Sequence, residues 1–94
     1  MSAFFYILRC SDGTYYVGHA SDPHVLLEVH NAGRGPQYTR ARLPVELIHT
    51  ERFATVQDAV RREAQVKRWS AQKKCALAEG ATDMLKTLAQ RRQR

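Results

Sequence analysis

The 94-residue sequence predicts a small α+β domain, an α/β sandwich in which a three-stranded, mostly antiparallel sheet is flanked by helices. Three observations carry this. Two short aromatic and β-branched runs flank Ser11-Asp12-Gly13, the pattern of an N-terminal hairpin. A further strand opens at Pro44. Asp22, Thr55 and Ser70 each stand where a helix would begin. Residues 1–80 are expected to form the domain, and residues 81–94 its basic C-terminal helix and tail.

Phe4-Phe5-Tyr6-Ile7-Leu8 and Tyr15-Tyr16-Val17 are residue types that fit a pleated, half-buried surface. The turn between them decides which side chains meet. A two-residue loop at Asp12-Gly13 pairs Leu8 with Val17 and sends Tyr6 and Tyr16 to opposite faces. A three-residue loop, with Gly13 in the left-handed region, pairs Cys10 with Thr14, Leu8 with Tyr16 and Tyr6 with Gly18. Ser-Asp-Gly supplies the glycine that the longer loop needs. Both tyrosines are therefore expected on one face, beside a residue with no side chain. Taken singly, each would more often be an ordinary amphipathic core residue.

Asp22-Pro23 starts the first helix: the carboxylate caps free amides and proline suits the first helical position. The helix is expected to stop near Asn31-Ala32-Gly33, with Gly33 as a left-handed cap. Residues 33–42, GRGPQYTRAR, have no helical or strand period and read as a loop. Arg34, Tyr38, Arg40 and Arg42 suit phosphate contact and base stacking, and would equally suit a plain surface loop. The third strand covers residues 45–53, with Val45, Leu47 and His49 sharing one side with Phe53. Thr55 and Asp58 cap a helix running to about Trp69. Ser70 caps another over residues 71–79, closed by Gly80. Thr82 caps a last amphipathic helix with Leu85, Leu88 and Ala89 on its apolar side.

The net charge of +6 is lopsided. Residues 1–54 hold five arginines against five acids, whereas residues 55–94 hold ten Lys/Arg against four acids. A basic half joined to a neutral half suggests a polyanionic partner, most plausibly nucleic acid, although a solvated helical surface would give the same count. No run has the length of a membrane span, and MSAFFYILRC enters a strand at once, unlike a secretory leader. A cytoplasmic location with no membrane partner is expected. Cys10 and Cys75 have neither disulfide-scaffold nor zinc spacing.

On a helical wheel from Val56 to Trp69, the residues Val56, Ala59, Val60 and Val66 define an apolar face, and Glu63 lies within it. A carboxylate there is costly unless paired, protonated or bound to a cation. Two readings stand: an i, i+4 ion pair with Lys67, or a ligand to a divalent metal.

Several of these pieces, in this order, resemble the GIY-YIG nuclease superfamily, and in particular its small single-domain bacterial branch of UPF0213 type. They are Phe4-Phe5-Tyr6, Tyr16-Val17-Gly18, His30-Asn31-x-Gly33-x-Gly35, Tyr38-Thr39-Arg40, Pro44-Val45-Glu46-Leu47 and Ala59-Val60-Arg61-Arg62-Glu63-Ala64-x-Val66-Lys67. The resemblance covers roughly residues 4 to 75. It implies a metal-dependent endonuclease that hydrolyses DNA phosphodiester bonds, with single strands, ends or branched DNA as candidate substrates. Glu63 takes the position of the family's metal-binding carboxylate, for one Mg²⁺ or Mn²⁺ and no small-molecule cofactor. Tyr6 takes that of the tyrosine that helps deprotonate the attacking water, Tyr16 orients the site, and Gly18 is the site's glycine. His30 with Asn31 matches the helix-end pair, so that His30 supports the site. Lys67 joins the loop arginines as a nucleic-acid contact.

Two positions stand apart. The family's catalytic arginine should fall at Leu26, and the first helix has no arginine at all. Another cation would have to reach the phosphate, with Arg34, Arg40, Arg42, His24 and His19 as candidates; otherwise the domain binds DNA with weak or no cleavage. His19 could transfer protons or donate to phosphate, but strict alternation puts it on the face opposite Tyr16.

Overall fold

The computed structural model describes residues 2–79. In chain order they form β1 (Ala3–Arg9), β2 (Tyr15–Ala20), α1 (Pro23–Asn31), α2 (Gln37–Arg40), β3 (Glu46–Phe53), α3 (Val56–Lys67) and α4 (Ala71–Ala78). Gly80, the helix expected from Thr82 with Leu85, Leu88 and Ala89, and the 81–94 tail lie outside the described residues.

The hairpin turns through three residues. The Cys10 N–H donates to Thr14 O at 2.8 Å, the Gly13 N–H to Cys10 O at 3.0 Å, and Gly13 has φ +84°. Asp12 Oδ1 accepts from the Thr14 amide at 3.1 Å and from its hydroxyl at 2.6 Å, an Asx turn that holds the corner. The register follows: Leu8 faces Tyr16, Tyr6 faces Gly18, and Phe5 faces His19.

The strands make one antiparallel sheet in the order β2-β1-β3. The central strand is covered on both sides, which is why Phe5, Tyr6, Ile7 and Leu8 run apolar without alternation. Phe5, Ile7 and Val17 pack on one face with Val66 of α3 and Leu77 of α4. On the other face, Tyr6, Leu8, Cys10 and Val45 pack with Leu26 and Leu27 of α1 and with Leu43 and Leu47. The sheet is thus the middle layer, and β2 and β3 are its two edges.

β3 corrects the expected strand. It starts at Glu46, and its pairing with β1 shifts between Ile7↔His49 and Leu8↔Leu47, leaving Ile48 as the extra residue of a bulge. One inserted residue switches the side on which all later residues fall. Val45 and Leu47 therefore pack beside Leu8, whereas Ile48 and Phe53 pack beside Phe5, and the His49 ring meets Phe5 edge-on.

The expected N-caps form, although the Asp58 carboxylate, read as returning a bond in a capping box, lies 3.6 Å from Arg61 instead. Asp22 Oδ1 accepts from the amides of His24 and Val25, Thr55 Oγ1 from that of Asp58, and the Ser70 hydroxyl from that of Lys73. Gly33, at φ +79°, ends the first helical turn sequence where expected. The segment 33–42, read as a loop, contains the short helix α2. Its four residues are too few to show a period, and a tertiary contact at buried Thr39 holds them. The apolar face assigned to α3 also shifts. Val56 and Val60 are 58% and 40% exposed, whereas Ala59 and Val66 are fully buried. The inward stripe runs from Ala59 through Arg62 and Glu63 to Val66, because the sheet offers both polar residues a partner. Arg62 Nε donates to Glu51 Oε1 of β3 at 2.9 Å, and Glu63 meets His19 of β2.

Candidate functional site

The edge strand β2 carries the site. Tyr16 and Gly18 point toward the α1 side of the sheet, where Tyr6 of β1 lies across Gly18. A Cβ at Gly18 would collide with the Tyr6 hydroxyl and stand only 2.6 Å from its Cζ. The absent side chain is what lets the phenol lie there. His30, at the end of α1, completes the group. Its ring centre is 5.7 Å from that of Tyr16 and 6.4 Å from that of Tyr6, with the two tyrosine rings 6.5 Å apart.

His30 is held from behind. Thr39 Oγ1 donates to Pro36 O at 3.1 Å, a back-bond to the residue three before it. A hydroxyl has one proton to give, so its 2.9 Å contact with His30 Nδ1 assigns the imidazole proton to Nδ1 and leaves Nε2 as the acceptor nitrogen. Gly35 permits this closure: a Cβ there would be 2.7 Å from His30 Nδ1. Asn31 fixes the same corner to β3, its side-chain amide exchanging two hydrogen bonds with the Val45 backbone at 2.8 and 3.0 Å. Burial holds the His30 imidazolium below the ordinary histidine range, so the ring is neutral near pH 7. Burial raises the Tyr6 phenol well above the usual tyrosine range, with the nearby charges of Tyr16 and Glu63 adding to it. Tyr16 is raised by burial and then by Glu63. Both phenols remain hydrogen-bond donors at neutral pH.

Glu63 arrives from the other face. Because His19 does lie opposite Tyr16 in the alternation, it points at α3, and its Nδ1 is 2.6 Å from Glu63 Oε1. The alternation that counted against His19 is what brings it to the carboxylate. Glu63 has no ion pair with Lys67 among the described residues. The two faces meet at the sheet edge in a cleft of about 350 Å³ lined by Tyr15, Tyr16, Val17, Tyr38, Glu63, Lys67 and Lys74.

Tyr38 extends the aromatic wall, stacking on Tyr16 at 6.0 Å and 30°. Arg42 lies 3.9 Å over the Tyr38 ring, donates to Asp12 Oδ2 at 2.9 Å and to Tyr38 O at 3.0 Å, and so ties the loop to the hairpin turn. Arg34 and Arg40 are exposed and outside the cleft lining. His24 sits at the N-terminus of α1 in a separate hollow with Phe4, Asp22 and Thr50. Nothing local in the sequence marks Tyr15 as a lining residue, and the concentration of positive charge after residue 54 is the only signal for Lys74.

With the tyrosine pair, the glycine, the helix-end histidine and the glutamate converging on one sheet edge, the comparison with known proteins is decisive. A model of the GIY-YIG catalytic domain matches residues 2–76. The chain belongs to the GIY-YIG family. It is 48% identical over 66 residues to a UPF0213 protein of Streptococcus pneumoniae, covering 70% of this chain and 67% of that one. It is 46% identical over 71 residues to a UPF0213 protein of Bacillus pumilus, covering 76% and 72%. The solution NMR structure of a UPF0213 protein from Bacillus halodurans superimposes with a TM-score of 0.53 at 38% identity, covering 84% of each chain. The fold and the family membership of this GIY-YIG domain thus agree with its sequence. The family is one of nucleases that act on DNA and generally use a divalent metal.

The donor set around Glu63 fits such an ion only in one form. Among the described residues, no three His, Cys, Asp or Glu side chains gather closely enough to build a metal cage. Among the described residues lining the cleft, Glu63 offers the carboxylate, with His19 on one of its oxygens. That suits Mg²⁺ or Mn²⁺, which is commonly held by one or two carboxylates, waters and the phosphate of a substrate. Leu26 packs into the apolar cluster that includes Tyr6 and Tyr16, so α1 brings no cation to this edge.

Proposed function

We propose that this GIY-YIG domain is a metal-dependent endonuclease that hydrolyses DNA phosphodiester bonds in the cleft at the β2 edge, acting on single strands, ends or branched DNA. The observation that carries the reading is that Tyr16, whose ring packs with those of Tyr6 and His30 on one face of the sheet, and Glu63 from the other face line a single cleft. Glu63 would hold the Mg²⁺ or Mn²⁺, which when bound supplies positive charge to the phosphate and leaving oxygen. The phenols donate hydrogen bonds and orient the attacking water. Neutral His30, packed against both phenol rings and fixed by Thr39, holds the pair in place. Tyr38, propped by Arg42, is a stacking platform for a base. Arg34 and Arg40 contact the phosphate backbone beyond the cleft.

The test is cleavage of labelled single-stranded, duplex and branched DNA with Mg²⁺ or Mn²⁺, the native chain beside Glu63→Ala. Cutting that needs the metal and falls at least about a hundredfold in Glu63→Ala is expected, from the size of a lost electrostatic stabiliser. Leu26 favours one other reading, a DNA-binding module without turnover. Salt-sensitive binding with no cutting on any substrate would establish that reading instead.

A further inference from the structure

The cleft raises a question of charge. A phosphodiester entering it meets the Glu63 carboxylate and the protonated Tyr16 phenol, and α1 contributes Leu26 to the apolar cluster that holds Tyr16. Most of the nearby guanidinium groups are committed elsewhere: Arg42 to Asp12, Arg62 to Glu51, and Arg61, at 3.6 Å, to Asp58. Lys73 lies over the Trp69 ring at 4.2 Å. The cations that line the cleft are Lys67 and Lys74, and neither ammonium has a carboxylate or hydrogen-bond partner among the described residues.

Local structure explains how two helices deliver them to one place. Lys67 is the last residue of α3, and Ser70 caps α4 almost at once. The short turn between them folds the chain back so that Lys74, one turn into α4, faces the cleft that Lys67 borders. Lysine is a compact, mobile point charge that suits a phosphate oxygen without demanding bidentate geometry. Both border Tyr16, whose ring also packs in the cluster that holds Leu26. A cation from α3 and α4 would thus reach the same phosphate as one from α1, from the opposite side of the sheet edge.

We propose that Lys67 and Lys74 are the phosphate-binding pair of this cleft, supplying from α3 and α4 the positive charge that α1 lacks. The proposal rests on the reading of the cleft as a nucleic-acid site, and its test separates the two. Binding of a fluorescently labelled single-stranded oligonucleotide is followed by anisotropy across a sodium chloride series, with EDTA present so that nothing is cut. The native chain is compared with Lys67→Gln, Lys74→Gln, the double variant and Lys73→Gln, each checked for unchanged thermal unfolding. Each cleft lysine should contribute roughly 0.7 to the slope of log affinity against log salt, as one phosphate contact on a single strand does. The double variant should lose about twice that, and Lys73→Gln should lose none. A native-like slope in both cleft variants, an equal loss in Lys73→Gln, or no binding by the native chain would each overturn the pair. Metal-dependent cutting by the native chain alongside native-like slopes would leave the nuclease reading standing without it. Reduced slopes in a chain that never cuts would keep the pair and remove the nuclease.

Discussion

Gly18→Ala probes the geometry on which the site depends. The added methyl would stand 2.6 Å from Tyr6 Cζ and 3.0 Å from Cε2, where carbon atoms prefer roughly 3.5–4.0 Å. Tyr6 is only 3% exposed and its ring is enclosed by Leu8, Cys10 and Val45, so it cannot retreat by turning into solvent. The ring or the β2 backbone must move by about 1 Å, an overpacking strain of about 1–3 kcal/mol. For a domain of this size, each kcal/mol lowers Tm by roughly 4–8 °C. Thermal unfolding followed by circular dichroism should thus show a fall of roughly 5–20 °C, with DNA cleavage lost in step as the phenol leaves its place. The cause is separable from a general cost of alanine in a strand. In a Tyr6→Ala background the obstructing ring is gone, and Gly18→Ala should then be neutral or slightly stabilising, since alanine restricts the unfolded chain more than glycine. A coupling of at least about 1 kcal/mol between the two positions is expected for residues in direct contact. A Gly18→Ala protein within about 0.5 kcal/mol of native, or equal effects of Gly18→Ala in both backgrounds, would refute the placement of Tyr6 over the glycine.

Two more predictions concern the support of the site. Thr39→Val keeps the shape of a fully buried side chain but removes the acceptor of His30 Nδ1–H; denaturant unfolding should show a loss of about 1–3 kcal/mol, and native stability would mean the tautomer is held some other way. Stability should also fall with pH in two steps. His30 titrates below its ordinary value near 6.5 because of burial, so both states are neutral above that pH and only the unfolded chain binds the proton just below it. Stability then falls by at most about 1.4 kcal/mol per pH unit until the folded histidine also protonates. Burial pushes Glu51 up, but the hydrogen bonds from His49 and Arg62 outweigh it and hold the carboxyl below 4.5. Stability from this group is present above that value and is lost as pH falls through the lower folded one. Unfolding midpoints measured across this range in the native chain and in His30→Gln should differ in slope around pH 6, and parallel curves would refute the first step.

The features read from sequence are those set within a few residues of chain. Asp22, Thr55 and Ser70 act on amides two or three positions away, and Ser-Asp-Gly fixes the hairpin register through Gly13. The tyrosines, the glycine and Glu63 were legible as one site only through the resemblance to the GIY-YIG family, since they lie far apart in the chain. What was not legible lies across the sheet. The bulge at Ile48 is one residue with no composition of its own, yet it reverses the sides of β3. The inward stripe of α3 departs from its apolar residues because the sheet provides Glu51 and His19, 11 and 44 residues away from their partners, and Val56 and Val60 turn out. His19 carries the point furthest. A strand presents alternate residues to opposite faces, so a site imagined on one face must exclude it. At an edge strand both faces end at the same rim, where a helix on one side and a loop on the other can each reach across. That is how a sheet three strands wide brings Glu63 from beneath and Tyr38 from above to the same Tyr16, and why the absence of a cation on α1 need not leave the cleft without positive charge.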